Sequence, residues 1–290
     1  MKRYKIIHRT YYNYSSSVTL GEHRLLLRPR EDYELRIESF ILKSTPNAKI
    51  LWHRDVEGNS VAIATFSGQT QQLLIESELI IQQYNESPLN FIVDTYAITY
   101  PFQYKNNDSF TLNAYMVLPD EQTRILLNDM IYNIYKTNER IETYTLLQRL
   151  SSYIYTRFAY TIREEPGVQT PQQTLMFGSG SCRDFALLFM ETAKCLGLAS
   201  RFVSGYLYAP LMSLLVGSTH AWAEVYLPGG GWIGFDPTIG DIAGVDHIPV
   251  AVSRLADSVP PISGSFTGVA HSTLDVGVWV TLSNNDEISH

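Results

Sequence analysis

Cys182, His220 and Asp236 are residue types that acyl transfer through a thiol requires, and each stands in a local pattern that suits one role. Cys182 follows Gly178-Ser179-Gly180-Ser181 and precedes Arg183-Asp184-Phe185-Ala186. The glycines permit a tight loop, Ser181 is a favourable N-cap, and Asp184 can reach back to form a near capping box. Cys182 then lies in the first helical turn, where free N–H groups and the helix dipole favour the thiolate, the nucleophilic form. A cysteine taken alone is more often a small buried hydrophobe. What changes that reading comes later in the chain.

Thr219-His220-Ala221-Trp222-Ala223-Glu224-Val225-Tyr226 and Gly231-Trp232-Ile233-Gly234-Phe235-Asp236-Pro237 flank Leu227-Pro228-Gly229-Gly230, the pattern of a β-hairpin. A turn centred on Pro228 sets His220 opposite Asp236, Trp222 opposite Gly234 and Glu224 opposite Trp232. Facing Cβ atoms lie roughly 4.5–5.5 Å apart, which brings the carboxylate to the imidazole. It would fix one ring nitrogen as a donor and stabilise the imidazolium, leaving the other nitrogen for the thiol. A one-residue slip would move His220 to the opposite face from Asp236. Each residue also has a plainer reading, a structural strand histidine and an aspartate starting a turn at Pro237. Together they supply nucleophile, base and orienter. A zinc site from Cys182, His220, His247 or His271 lacks the close ligand pairs typical of such sites, so no metal is expected.

The elements that must position these groups are legible in outline. The 290 residues are 45% hydrophobic, enough for one large or two ordinary domains. A net charge of −7 without long Lys/Arg runs speaks against nucleic acid or an anionic membrane as partner. No apolar stretch has the length of a signal peptide or membrane span. With only Cys182 and Cys195, thirteen residues apart and on roughly opposite helix faces, a reduced cytoplasmic setting is expected.

Residues 1–97 read as a β-rich domain, with strands at Tyr4–Tyr14, Leu35–Lys43, Lys49–His53, Ser60–Phe66 and Gln72–Tyr84, and a break at Ser15-Ser16-Ser17. Arg24-Leu25-Leu26-Leu27-Arg28-Pro29-Arg30 is read as a charge-blunted strand edge in preference to an anion contact. Residues 98–290 read as the catalytic core: helices from about Glu121, from Ile141 to Phe158 and from Cys182 to Leu196, with Thr170-Pro171 in a loop between the last two. Strands follow at Ala199–Tyr208, His220–Leu227, Trp232–Asp236, Ile248–Val252 and Leu274–Leu282. The fold class is α+β.

The blocks around Cys182, Arg201-Phe-Val-Ser-Gly-Tyr206, Thr219-His220-Ala-Trp-Ala-Glu-Val-Tyr and Gly231-Trp-Ile-Gly-Phe-Asp236-Pro-Thr resemble the transglutaminase-like superfamily, in particular its bacterial cysteine-protease-like members. The resemblance extends to Glu165–Pro171 and His247–Val252, and residues 1–97 are similar to the β-rich domain preceding the core in that group. It implies a papain-like α+β core, with the family's cysteine, histidine and aspartate on Cys182, His220 and Asp236. It also implies acyl-enzyme chemistry, through a thioester, on a peptide, protein or γ-glutamyl amide substrate; the same triad serves water or an amine as acceptor, and hydrolysis is expected ahead of cross-linking. No calcium-loop pattern and no cofactor motif is present. The oxyanion hole is expected from the backbone N–H of Cys182 and one upstream donor, Gln169 or Tyr160. Trp222 is read as a site wall or core, and Arg183 and Asp184 as lining the entrance or only capping the helix. The alternative function is a catalytically silent peptide-binding module on the same fold.

Overall fold

The β-rich opening of the chain is built on a single long strand. In a computed structural model, which describes residues 1–87, 89–163, 165–210 and 219–283, β1 (Lys2–Arg28) is the spine of a sheet with β2 (Leu35–Thr45), β3 (Lys49–Arg54), β4 (Ser60–Thr65) and β5 (Gln69–Gln83), in the order β2-β5-β1-β4-β3. Period-two alternation in β5 buries Leu73, Ile75, Ser77, Leu79 and Ile81 on one face. The serine run does not break β1. The register against β5 shifts between Asn13 and Val18, and the hydroxyls of Ser15 and Ser16 hydrogen-bond the backbone at His271 and Val269. Arg24–Arg28 is not an edge either. It pairs with β4 on one side and a C-terminal strand on the other, burying Leu25, Leu26 and Leu27, while Arg24 and Arg28 bind Asp55 and Glu31.

Helices occupy the middle of the chain: α1 (Asn106–Leu112), α2 (Glu121–Ile134), α3 (Thr143–Arg157), α4 (Pro171–Phe177) and α5 (Cys182–Cys195). Between them, β6 (Thr99–Tyr100) pairs with β7 (Ile141–Glu142), and β8 (Ala159–Tyr160) pairs with β9 (Ser179–Gly180). Asp120 caps α2 by accepting from the backbone N–H of Thr123 at 3.1 Å. The helix α4 replaces the loop expected at Thr170-Pro171. Thr170 and Gln173 form a capping box and Pro171 fills the first turn, where its missing N–H costs nothing.

The second sheet comprises β10 (Ser200–Leu207), β11 (His220–Leu227), β12 (Gly231–Asp236), β13 (Asp241–Ile242) and β14 (His247–Ser253), in the order β13-β12-β11-β10-β14. The helix α5 lies against β10 and β11, with Phe185, Leu188 and Phe189 in one core with Ala221, Ala223, Val225 and Phe235. Finally β15 (Ile262–Thr267) and β16 (Ser272–Leu282) return to β1, so the first sheet draws strands from both sides of residue 97. A separate core of Tyr4, Ile6, Leu79, Ile81, Tyr206, Ile248 and Val250 joins this sheet to β10 and β14.

Candidate active site

The loop before α5 is fixed by one buried carboxylate. Asp184, wholly inaccessible to solvent, accepts from the Ser181 N–H (2.7 Å) and hydroxyl (2.8 Å), from the Gln169 N–H (2.7 Å) and from Arg163 Nη1 (2.7 Å). The capping box is thus complete, and it also ties residues 163–169 to the helix start. A Cβ at Gly180 would come within 2.9 Å of the Asp184 Cβ, so the close approach requires glycine. Asp184→Ala takes from Arg163 its buried carboxylate partner, leaving the exposed Glu165 at 3.7 Å, and leaves several donors unpaired, so it is expected to lower stability by about 3 kcal/mol. Urea unfolding measures this; a loss well under 1 kcal/mol would remove Asp184 as the organiser of the loop.

Cys182 occupies the first turn of α5 and is buried, as are His220 at the start of β11 and Asp236 at the end of β12. The hairpin register differs from the expected one by two residues: Glu224 faces Gly234 and Tyr226 faces Trp232. The cause is a three-residue connection, Pro228-Gly229-Gly230, closed by the Gly230 N–H to the Leu227 carbonyl at 2.9 Å, with positive φ at Gly229 (86°) and Gly231 (80°). A slip of two preserves the face of every side chain. His220 and Asp236 are therefore diagonal neighbours, and His220 Nε2 reaches Asp236 Oδ2 at 2.6 Å. That leaves Nδ1 for the thiol.

The charge and hydrogen bonding of Cys182 act on both His220 and Tyr160. Burial, the largest influence on His220, pushes its imidazole down, but the Asp236 charge and hydrogen bond together with Cys182 outweigh it and push it up to about 10. Burial would likewise raise Asp236, yet the two histidines beside it hold its carboxyl well below the usual range. The Tyr160 hydroxyl is raised well above its ordinary value, by burial first and then by Cys182, so it remains protonated and able to donate.

One further group in the site stands out in the sequence only as a candidate zinc ligand. His247, at the start of β14, donates from Nε2 to the same Asp236 Oδ2 at 3.0 Å. Its Nδ1 accepts from the Gly244 N–H at 3.0 Å, which fixes the proton on Nε2. Asp236 Oδ1 accepts from the Thr238 N–H at 2.8 Å. Ligand atoms of His220, Asp236 and His247 lie within 4.8 Å of one another, the one grouping among the described residues that could hold a metal ion. In this arrangement both histidines use those atoms as hydrogen-bond donors to the carboxylate.

The other sequence candidates fall into two sets. Trp222 is buried, stacked on His220 (centroids 6.2 Å apart, planes at 30°) and edge-on to His247 (5.1 Å), so it holds both rings in orientation. The Gln169 amide, oriented by its hydrogen-bond network, donates to the Ser179 carbonyl and Thr174 Oγ1 and accepts from Arg163 Nε, so its polar atoms are engaged within the loop. Arg183 Nη2 donates to the carbonyls of Arg163 (3.1 Å) and Glu165 (3.2 Å), bracing the same loop. Cys195 is half-buried, unpaired with Cys182, and its thiol is pushed up to about 11 by burial and then by Glu191.

Residues 4–82 match the bacterial transglutaminase-like N-terminal region, and residues 134–237 match the transglutaminase-like superfamily. A Cytophaga hutchinsonii protein of known structure, provisionally designated a cysteine protease, superposes with a TM-score of 0.76 at 19% identity, covering 98% of this chain and 92% of that one. At that identity the likeness is one of fold. An uncharacterized Mycobacterium tuberculosis protein is 28% identical over 306 aligned positions, spanning 99% of this chain and 95% of its own length. Another, from Mycobacterium leprae, is 36% identical over 107 positions, or 35% of this chain and 37% of its own.

Proposed function

We propose, from the premise that this chain is a transglutaminase-like superfamily protein carrying the bacterial N-terminal region, that it catalyses cysteine-dependent acyl transfer from amides. The observation that carries the reading is His220, held at 2.6 Å by Asp236 and influenced by Cys182 on the first turn of α5. Cys182 passes its proton to His220 Nδ1, and the thiolate Sγ attacks the amide carbonyl carbon as the carbonyl electron pair moves to oxygen. The first-turn N–H of Cys182 and the Tyr160 hydroxyl are the donors for that oxyanion. The tetrahedral adduct collapses, the C–N bond breaks, and the His220 imidazolium gives its proton to the departing amine. Water then attacks the thioester, His220 takes its proton, and the acid and thiolate are released. An amine acceptor would follow the same path to a new amide, with hydrolysis ranked first.

The substrate class is a peptide, protein or γ-glutamyl amide. Two unpaired cysteines support a reducing, cytoplasmic setting, and no helix among the described residues is long and apolar enough to cross a membrane. Iodoacetamide labelling near neutral pH should favour Cys182 over Cys195, although Cys195 is the more exposed. A peptide and γ-glutamyl amide library should yield ammonia or amine release that disappears in Cys182→Ala. Equal labelling of the two thiols, with no amine or ammonia release above background from wild type or Cys182→Ala, would leave only the silent binding module.

A further inference from the structure

His247 is a buried imidazole whose Nε2–H is aimed at the oxygen that already holds His220, on an atom that packing alone would not require. A carboxylate oxygen accepts along two lone-pair directions. With His220 on one and His247 on the other, and Thr238 N–H on Oδ1, the plane of the Asp236 carboxylate has no freedom to turn. His247 is in turn held by its own turn. Gly244 donates to Nδ1, and the His247 N–H returns to the Gly244 carbonyl at 3.0 Å.

That turn is gripped from the other sheet. Between Gly244 and His247 lies Asp246, whose Oδ1 accepts from the Tyr4 hydroxyl at 2.5 Å and from Lys2 Nζ at 2.8 Å. The Tyr4 hydroxyl also lies 3.4 Å from the Val245 carbonyl, and Tyr4 itself is fully buried in the core joining the two sheets. The Asp246 carbonyl accepts from the Tyr208 N–H at 2.9 Å, tying the turn to the end of β10. A continuous set of hydrogen bonds thus runs from the first residues of β1 through the 244–247 turn to Asp236.

We propose that His247 is a positioning residue for Asp236, and that β1 sets its place through Tyr4 and Lys2 on Asp246, which makes the N-terminal sheet part of the catalytic apparatus. This inference rests on Cys182 being the nucleophile. The sheet does not touch substrate in this scheme. It holds the carboxylate, which holds His220 with Nδ1 toward the thiol.

The rate of iodoacetamide alkylation at Cys182 in the full chain, mapped by mass spectrometry across pH, tests it. His247→Leu should slow labelling roughly 10-fold at neutral pH and move the acid limb of the profile upward, because one bond to a charged group is lost. His247→Gln, which retains an N–H near the Nε2 position, should recover most of that rate. Tyr4→Phe removes one hydroxyl and should slow labelling roughly 3-fold in the wild type yet have no further effect beside His247→Leu, since coupled groups are non-additive. Circular dichroism melts report folding of each variant. Should His247→Leu fail to fold, the Tyr4→Phe comparison is made in the wild-type and His247→Gln backgrounds, where slowing is expected in both. An unchanged rate and pH profile in folded His247→Leu, or in Tyr4→Phe, overturns the relay, as does an undiminished Tyr4→Phe effect beside His247→Leu. Equal labelling of Cys182 and Cys195 in the wild type is a separate result, and it defeats the nucleophile assignment itself.

Discussion

Asp236→Asn is expected to lower amide turnover roughly 10⁴-fold, the drop seen when the orienting carboxylate of a nucleophile–histidine–aspartate system becomes an amide. The local hydrogen bonding gives the reason. Asp236 accepts from His220 and His247 on Oδ2 and from the Thr238 N–H on Oδ1. Asparagine offers one acceptor oxygen and one donor group in the same space. If its oxygen takes the Oδ2 place, the NH2 faces the Thr238 N–H, which cannot reverse. If the NH2 takes the Oδ2 place, it faces two imidazole N–H groups. His220 can relieve that clash by moving its proton to Nδ1, toward the thiol, and so lose its ability to accept one. His247 cannot follow, because the Gly244 N–H already uses its Nδ1. Both orientations also remove the negative charge that stabilises the imidazolium. Steady-state release of ammonia or amine, with circular dichroism to verify folding, measures the outcome. Retention of activity within 10-fold of wild type would show that Asp236 does not orient the base.

The triad candidates are legible in the sequence because the chemistry-bearing types stand at the start of a helix, the start of a strand and the end of its neighbour. Strand parity then decides which residues share a face. The expected hairpin register is displaced by two residues, yet His220 and Asp236 still meet, since an even displacement preserves the face. Pro228 suggests the wrong centre for the turn, because the glycines that adopt positive φ are Gly229 and Gly231.

His247 is far less visible. Its partner lies 11 residues earlier on a strand that is not its neighbour, and the meeting depends on the pairing of β14 with β10. The available signal is a histidine opening the apolar run Ile248-Pro249-Val250-Ala251-Val252, a place where a buried imidazole must find a partner. The return of β15 and β16 to β1 is invisible for a related reason, since Tyr4 opposite Leu282 is a contact between the chain's two ends. Local patterns identify a strand and its buried face, but not the distant strand it joins. The helix α4 is readable in principle, because Thr170-Pro171 with Gln173 is a helix-start signal, which a loop reading based on the proline alone overlooks.

The titration of His220 provides the second large effect. Its imidazole is pushed up to about 10 in the folded chain against 6.5 ordinarily, so folding strengthens its hold on the proton. The stability it contributes is fully present below pH 6.5 and is lost as pH rises toward 10. Asp236 is shifted the other way, so its contribution is present above its ordinary 3.8 and is lost as pH falls through the depressed folded value. The two contributions coexist at full size between about pH 4 and 6.5. At most the His220 part is on the order of 5 kcal/mol, since each tenfold gain in proton affinity corresponds to ~1.4 kcal/mol. Replacing His220 by Gln should therefore cost most stability near pH 5–6, and the gap from wild type in urea unfolding should narrow steadily toward pH 10. Carbon-bound imidazole protons followed by NMR give the same quantity directly. In Cys182→Ala the thiol's contribution disappears while that of Asp236 persists, so His220 should titrate lower than in the wild type but still above 6.5. Titration at or below 6.5 in the wild type would mean that burial outweighs the carboxylate, and His220 would then rest as a neutral imidazole that takes the Cys182 proton during attack instead of holding it beforehand.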